Sequence, residues 1–405
     1  MSIIPKILSI QKVVKHMKNN SKSLQYVIII LMSLVFLFIG NRIATANLAT
    51  LNLTNEFEAV EAIVRQIIDV STEHHQIGDD FSITNTDITF EAEISRGEHR
   101  NESVIAIQNL SSFIASGVTE VEVGDRIVIF YDNFNNVWHF VDYVRINAIW
   151  FLAIAFIALL VIFGGKKGFN SMVALGFTCM SIFAVFLPAI LSGKNIYITS
   201  IIVCIFSIVS TLFIVAGINK KSISSILGCL GGVLVTGLLI VFMDIFLNLT
   251  GLVNQEAHLL LFLPTSEPLD LRAIIFASII IGAVGAIMDV AMSISSSLWE
   301  LKTKAADDEN TLRSLFESGI NIGKDMLGTM VNTLILAYIG SSLSIILLIS
   351  VNANSLVDLL NMEMVIVEFL RALVGSFGIF FTIPLTSIIC AALYSQDDSS
   401  LNSDV

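Results

Sequence analysis

Long apolar runs separated by short polar stretches dominate this chain. The first run covers Leu24 to Gly40, and others lie near residues 147–164, 169–191, 196–218, 223–247, 271–294, 328–350 and 365–392. A run of about 20 apolar residues is long enough to cross a bilayer as an α-helix. The pattern therefore predicts an all-α polytopic membrane helix bundle of about eight transmembrane helices.

Between residues 41 and 146 the long apolar runs give way to short stretches in which apolar and polar residues alternate. Ile88–Ile94 has the period of a strand, and a Gly-Asp turn at Gly124 leads into another stretch of this kind. The segment Glu56–Val70 fits a helix or a strand on its pattern alone. We therefore expect a small extracytoplasmic β-rich domain between the first and second transmembrane helices.

The basic residues predict the orientation of the chain. Lys166–Lys167, Lys220–Lys221 and a basic group between Lys302 and Lys324 fall in alternate loops. Because basic residues concentrate in cytoplasmic loops, we expect both termini in the cytoplasm. The other predicted segments are a basic N-terminus at 1–23, a transmembrane anchor at 24–40, a seven-helix membrane domain at 147–394 and an acidic tail at 395–405. The alternative for the first run is a signal peptide cleaved near Ala46.

Composition agrees with a membrane protein and excludes several function classes. Hydrophobic residues make up 55% of the chain and charged residues 14%, with a mean hydropathy of +0.83, whereas about 25% of residues in soluble domains are charged. The net charge of -12 disfavours nucleic-acid binding. The four cysteines have no disulfide or metal spacing. Without a nucleotide-binding loop or a catalytic triad, we predict no enzyme activity, no cofactor and no metal site.

Two of the apolar runs carry polar side chains in a helical stripe. Between Asp270 and Leu301, spacings of three and four residues place Asp289 on one face with small and polar residues. Those residues are Gly282, Gly285, Ala286, Ser293, Ser296 and Glu300. In the next run, Asp325, Thr329 and Asn332 form a similar stripe. An ionisable group at a helix centre costs about 2.5–3.5 kcal/mol on insertion scales, so these stripes predict a polar core.

The depth of these residues suggests that they meet. Asp289 and Asn332 each lie about seven residues from the predicted cytosolic surface, or ~10 Å at 1.5 Å per residue. Their oxygens suit a hard cation or a proton relay. The alternative is that Asp289 hydrogen-bonds Asn332 and Ser293 and only fixes helix register. The predicted intramembrane polar site consists of Asp289, Ser293, Ser296, Thr329 and Asn332, and its membrane edge of Glu300, Lys324 and Asp325.

The same stretches carry a resemblance. The sequences DVAMSISSSLWEL (Asp289–Leu301) and SLFESGINIGKDMLGTMVNTLILAYIGSSL (Ser314–Leu343) resemble the YibE/F family of multi-pass bacterial membrane proteins, and a looser similarity begins near Glu58. The resemblance implies a multi-pass protein of the bacterial cell membrane with a polar signature in these two spans. It implies no known substrate or reaction. It also favours a strand over a helix for Glu56–Val70, opening a small β-barrel-like domain.

Other features of the spans predict packing and not chemistry. Gly228 and Gly232 form a GxxxG motif that is typical of close helix contacts. Glu368 and Arg371 are three residues apart, which favours a local ion pair. Lys324–Asp325 is interpreted as a helix start. The apolar stripe of residues 312–320 suggests a separate helix resting on the membrane surface.

Two functions fit the sequence. One is a permease or ion-coupled transporter whose path passes Asp289 and Asn332 and carries an ion or a small solute. The alternative is a non-transporting membrane scaffold or assembly factor that holds partners with its outer domain. In both cases the partners are the lipid bilayer and a second membrane protein or another copy of this chain.

Overall fold

The computed structural model describes residues 4–46, 59–77, 81–97, 99–111, 119–133, 135–263, 268–304, 311–352 and 355–395. The predicted acidic tail after Ser395 lies outside these residues. The chain divides into two compact units. One unit is Asn52–Leu159, and the other combines Met1–Leu51 with Leu160–Val405.

The first unit contains a closed five-stranded barrel. Its strands are β1 Ala59–Ile77, β2 Phe81–Ile94, β3 Ser103–Ser111, β4 Arg126–Asp132 and β5 Val137–Tyr143. Around the barrel they follow the order β1-β2-β3-β5-β4, with β1 and β4 closing it. The β3–β5 pair is parallel and the others are antiparallel. This order is that of the OB-fold, a five-stranded Greek-key barrel.

The segment Glu56–Val70, whose pattern fitted either a helix or a strand, forms part of strand β1 from Ala59 onwards. Val60, Ala62 and Val64 are buried in the barrel core and alternate with less buried neighbours, so the segment has the two-residue period of a strand. The predicted Gly-Asp turn is present as well. Gly124 has a φ of 100°, and the Asp125 carboxylate accepts the Glu122 backbone N–H at 2.8 Å. The predicted small β domain is therefore confirmed, although Glu56–Glu58 lie outside the described residues.

The rest of the described chain is helical. Its longer helices are α1 Ile4–Ala44, α2 Ile146–Ser181, α4 Ile196–Ala216, α5 Lys220–Leu247, α7 Leu271–Lys304, α8 Leu312–Ser341 and α11 Glu363–Ser395. The shorter ones are α3 Leu187–Leu191, α6 Gln255–Leu260, α9 Leu343–Asn352 and α10 Leu356–Asn361, and a π-helical turn, Ile182–Phe186, joins α2 to α3.

Within the described residues, six helical stretches are long and apolar enough to cross a membrane. They are Leu24–Ala44, Ile146–Leu191, Ile196–Ala216, Lys220–Leu247, Leu271–Lys304 and Glu363–Ser395. Two features explain why six stretches are found where eight spans were expected. The predicted spans 147–164 and 169–191 fall in one stretch, although the backbone at Gly165 is not helical (φ 53°, ψ -131°). The predicted span 328–350 is divided between α8 and α9.

Helices α5 and α11 pack through glycines and threonines. A Cβ atom added to Gly228 would collide with Thr386, and one added to Gly232 would collide with Thr382. About one turn beyond Gly232 the roles reverse, and a Cβ on Gly378 of α11 would collide with Thr236 of α5. Along these three contacts the residue numbers increase on α5 and decrease on α11, so the two helices are antiparallel. The close packing predicted from the GxxxG motif is confirmed.

Helix α8 differs from the sequence expectation at its start. It begins at Leu312, and the Thr311 side chain caps it by accepting the Ser314 backbone N–H at 3.2 Å. The interpretation of Lys324 and Asp325 as a helix start is therefore wrong, because both lie inside α8. The expected separate surface helix is the first part of the same helix. Its buried Gly319 packs against α7 and α11.

Candidate functional site

The predicted polar stripe of α7 lies on the surface of the bundle. Asp289 and Glu300 are exposed, whereas Ser293 and Ser296 are half-buried. The buried face of the helix is the apolar one, including Ile287, Val290, Ala291 and Ile294. Glu300 forms an ion pair with Lys304 at 2.6 Å. The polar stripe is therefore exposed at Gly285, Asp289 and Glu300, whereas at its other end Gly282 lies against Tyr338 of α8.

The stripe of α8 is exposed in the same way. Thr329, Asn332, Lys324 and Asp325 are all exposed. The Thr329 hydroxyl donates a hydrogen bond to the Met326 carbonyl at 2.9 Å, so it is occupied within its own helix. Both predicted polar groups are thus surface features of the folded chain.

Contacts on either side place Asp289 and Asn332 at nearly the same level. Towards one end, Leu298 of α7 lies beside Gly319 of α8; towards the other, the Tyr338 hydroxyl of α8 lies against Gly282 of α7. The helices are therefore antiparallel. Among the described residues, neither Asp289 nor Asn332 forms a side-chain hydrogen bond or an ion pair. A direct interaction between them stays a prediction.

A buried polar network that the sequence analysis missed lies on the opposite side of α7. The Ser295 hydroxyl donates to the Lys221 carbonyl at 2.7 Å and lies 2.8 Å from the Tyr394 hydroxyl. The Lys302 ammonium group donates to the Tyr394 backbone carbonyl, and the Trp299 ring meets the Tyr394 ring edge-on at 5.1 Å. This network joins α5, α7 and α11 at one end of the bundle, which we call the basic end after Lys220, Lys221, Lys302 and Lys304.

The far end of the bundle holds a second polar group. The Arg371 guanidinium donates to Glu368 Oε1 at 2.5 Å, and the two side chains are 28% and 16% exposed. The ion pair predicted from their spacing is confirmed. Within the described part of the chain, three buried polar atoms here have no hydrogen-bond partner: Glu368 Oε2, Arg371 Nε and the Tyr338 hydroxyl.

Glu368 and Tyr338 line a cavity of about 350 Å³ between α8, α9, α10 and α11. Ser342 and Ser350 also belong to the lining residues, and the Ser350 hydroxyl donates to the Ile346 carbonyl of its own helix at 2.6 Å. The other lining residues are apolar and include Ile335, Ile339, Leu359, Val365, Phe369 and Ala372. The surface that the cavity exposes is therefore almost entirely apolar.

The described part of the chain contains no cluster of metal-binding side chains. There, no three His, Cys, Asp or Glu residues lie close enough together to hold a metal ion. His74, beside His75 in the sequence, is exposed on the barrel unit and its Nδ1 hydrogen-bonds the Thr84 hydroxyl at 3.0 Å. The side chain of His75 lies outside the described residues.

The six apolar helical stretches of spanning length found among the described residues, together with the β-barrel, define a helical membrane protein with an added β domain. The chain belongs to the YibE/F-like protein family, whose family model matches residues 152–396, more than half of the chain. The match includes both stretches that carried the resemblance, and it begins after the last barrel strand, which ends at Tyr143. No curated protein matches the chain, and no solved structure matches it.

Proposed function

We propose that this protein is a multi-pass permease or ion-coupled transporter whose path follows the polar face of α7 past Asp289. The observation that carries the proposal is an exposed carboxyl group in the middle of a helix of spanning length. Lipid does not solvate such a group, because an Asp at a helix centre costs about 2.5–3.5 kcal/mol on insertion scales. A water-lined path along this face removes that cost.

The length of the stripe supports a path. From Gly282, where the Tyr338 hydroxyl rests, to Glu300 at the basic end, α7 rises ~27 Å at 1.5 Å per residue. The hydrocarbon core of a bilayer is about 30 Å thick. Glycine and serine next to Asp289 leave room for solute and supply hydroxyl groups. One face of α7 thus provides polar or small positions over most of the membrane.

For the topology we propose eight crossings of a bacterial cell membrane, with both termini cytoplasmic and the barrel outside. The stretch Ile146–Leu191 has 46 residues, about twice what one crossing needs. Its helix breaks at Gly165, and the Leu160 carbonyl lies against Gly168, which supports a reversal of the chain there. Helix α8, with 30 residues, supplies the other crossing.

Cysteine labelling tests this topology in a background without Cys179, Cys204, Cys229 and Cys390. A membrane-impermeant maleimide should label Ser95→Cys on intact cells. It should label Thr303→Cys, at the basic end of α7, only after the cells are opened. Labelling of Ser95→Cys only in opened cells would contradict the orientation.

Transport is tested with Asp289→Asn, which keeps the shape of the side chain and removes its charge and its exchangeable proton. A strain lacking the gene is first screened for growth under metal, salt, pH and osmotic stress. We expect Asp289→Asn to express normally and to fail to restore growth. The matched control is Asp358→Asn, on the short helix α10 and away from the path, which should restore it. Full complementation by Asp289→Asn would overturn the proposal.

One observation favours the scaffold function as a second candidate. Strand β1 continues beyond its pairing with β4, which ends at Ile63, and forms a long hairpin with β2. The hairpin carries Ile68 and Val70, both about half exposed. An exposed apolar ribbon suits contact with a partner protein. Under this function, Ile68→Ser with Val70→Ser should abolish complementation, and Asp289→Asn should not.

A further inference from the structure

We infer that the polar face shared by α7 and α8 binds the same face of a second copy of this chain, with Asp289 of each copy accepting a hydrogen bond from Asn332 of the other. The inference deepens the proposed function, on which it rests, because it names the partner that closes the open side of the path. The contact joins α7 of one copy to α8 of its partner.

The two helices expose stripes with the same spacing. On α7, Gly285 lies four residues before Asp289, and on α8, Gly328 lies four residues before Asn332. All four positions are exposed, and a Cβ added to either glycine would meet nothing within 4 Å. In membranes, small residues let two helices approach closely, and polar side chains then form hydrogen bonds between them. Each stripe therefore has the form of a helix–helix contact surface.

The two stripes are complementary in hydrogen bonding. The Asp289 carboxylate accepts hydrogen bonds, and the Asn332 amide nitrogen donates them. Neither side chain has a hydrogen-bond partner among the residues that the structure describes. Hydrocarbon offers no such partner, and ionisable side chains in membrane helices face protein or water. Because one surface carries both an acceptor and a donor, it can bind a copy of itself.

The depth of the two side chains favours a second copy over an unrelated partner. Leu298 of α7 lies beside Gly319 of α8. Nine residues further along these antiparallel helices are Asp289 and Gly328, and Asn332 follows one turn later, about 6 Å at 1.5 Å per residue. Two-fold dimers are the commonest homo-oligomers. A two-fold axis along the membrane normal leaves the depth of every residue unchanged, so it sets Asp289 of each copy close to the depth of the partner's Asn332.

The contact is compatible with the proposed path. A carboxylate has two oxygens, and one hydrogen bond from the partner's Asn332 occupies only one of them. The other oxygen stays available to water or to a solute that passes between the two copies. The second copy then supplies the wall that this chain lacks on the exposed side of α7.

Cross-linking between two differently tagged copies tests the inference. The full-length chain without its four native cysteines is expressed in one cell in two versions, Asp289→Cys with one affinity tag and Asn332→Cys with another. One side of the interface then holds the two cysteines, and the other side keeps the native pair. An added oxidant should give a disulfide-linked band that carries both tags and has twice the 44.2 kDa mass of one chain.

The control replaces Asp289→Cys with Leu238→Cys, at an exposed apolar position of α5. We expect the control to give at least tenfold less of the band that carries both tags. Equal amounts of that band from the two pairs, or no such band from the Asp289→Cys pair, would overturn the inference.

Gly328→Leu blocks the close approach and keeps both polar side chains. It should reduce the cross-link at least fivefold. The matched control is Gly176→Leu, at an exposed glycine of α2 where an added Cβ would also meet nothing within 4 Å, and it should leave the cross-link unchanged. Undiminished cross-linking in a Gly328→Leu protein that is folded, as judged by size-exclusion chromatography, would refute this contact. If Gly328→Leu does not fold, the comparison with Leu238→Cys still decides the question.

The cross-link also separates this inference from the proposed function, because its formation requires no transport. A band with both tags, together with full growth of the Asp289→Asn strain, supports the dimer and refutes the path. Loss of growth in the Asp289→Asn strain without that band supports the path and overturns the dimer.

Discussion

The Tyr394 hydroxyl lies 2.8 Å from the Ser295 hydroxyl and 3.2 Å from the Ser295 carbonyl, although the two residues are 99 positions apart. Ser295 gives its own proton to the Lys221 carbonyl, so Tyr394 is the donor to Ser295. Both side chains are fully buried. This one contact joins the last turns of α11 to α7 and, through Ser295, to the start of α5.

Tyr394→Phe should therefore destabilise the bundle without changing its packing volume. Removing the hydroxyl deletes a buried hydrogen bond and keeps the ring contact with Trp299, and such a bond contributes about 0.5–1.5 kcal/mol. We expect a lower midpoint of thermal unfolding in detergent.

The coupling of the two residues is checked with Ser295→Ala and the double variant. Because both partners belong to one network, the two losses should be less than additive. Additive losses would mean that the hydroxyls act independently, against the geometry described above.

The packing of α5 on α11 gives a second prediction, for Gly232→Ala. The added methyl group would collide with the Thr382 hydroxyl and would also approach Ile287 and the Gly378 carbonyl. Overpacking of this kind costs about 1–3 kcal/mol. We expect a clear fall in the thermal unfolding midpoint, partly restored by Thr382→Ala, which makes room for the methyl group.

Gly285→Ala is the matched control. Gly285 is an exposed glycine in α7, and a Cβ there would meet nothing within 4 Å. Alanine favours a helix over glycine by about 0.8–1.0 kcal/mol, so this variant should be neutral or more stable. A similar loss of stability in both variants would show that glycine flexibility, and not close packing, is required.

These contacts also mark how far the sequence could predict the fold. Three features could be predicted because each depends on residues that are close together in the chain. They are the apolar runs, the GxxxG contact and the Glu368–Arg371 pair. The start of α8 could not be predicted from Lys324 and Asp325, because a charged pair on an exposed face leaves a helix intact and α8 begins at Leu312.

The candidate site was predictable in part. Helical periodicity placed Asp289 on one stripe, but periodicity cannot say which side of a membrane helix faces protein, because lipid and protein interior are both apolar. The role of Tyr394 was missed because its partner Ser295 lies 99 positions away in the chain. The cavity beside Glu368 was missed because it depends on how the consecutive helices α8 to α11 fold against one another. Ser295, inside a run of serines, became distinct only when α5 and α11 were packed around it.

A third prediction concerns Glu363, the first residue of α11. Its carboxylate accepts the backbone N–H groups of Thr250 and Gly251 at 2.8 and 2.7 Å, and the Thr250 hydroxyl at 2.7 Å. It thereby fixes the turn after α5, where Gly251 adopts a φ of 88° against the start of α7.

Glu363→Ala leaves those backbone donors without this acceptor. Hydrogen bonds to charged groups contribute about 1.5–3 kcal/mol, and partial exposure places the expected loss at the lower end. The thermal unfolding midpoint should fall, and proteolysis of the loop after α5 should accelerate. Glu256→Ala, an exposed acid on α6, should change neither; equal effects would show a general response to lost negative charge.

The last prediction concerns what covers the polar face of α7. Single cysteines are placed at Gly285, Asp289 and Ser293 in a background without native cysteines, with Leu238→Cys, an exposed apolar position of α5, as the lipid-facing reference. Thiols react with water-soluble reagents as thiolates, which form in water and not in hydrocarbon, so a path should give labelling at least about tenfold faster than the reference. If the path passes both helices, Asn332→Cys should be labelled as fast as the cysteines on the polar face of α7. Rates equal to that of Leu238→Cys along the whole stripe would mean that lipid or a tightly packed partner covers Asp289. The carboxyl group would then be an interface residue, and the scaffold function would be the better explanation of this chain.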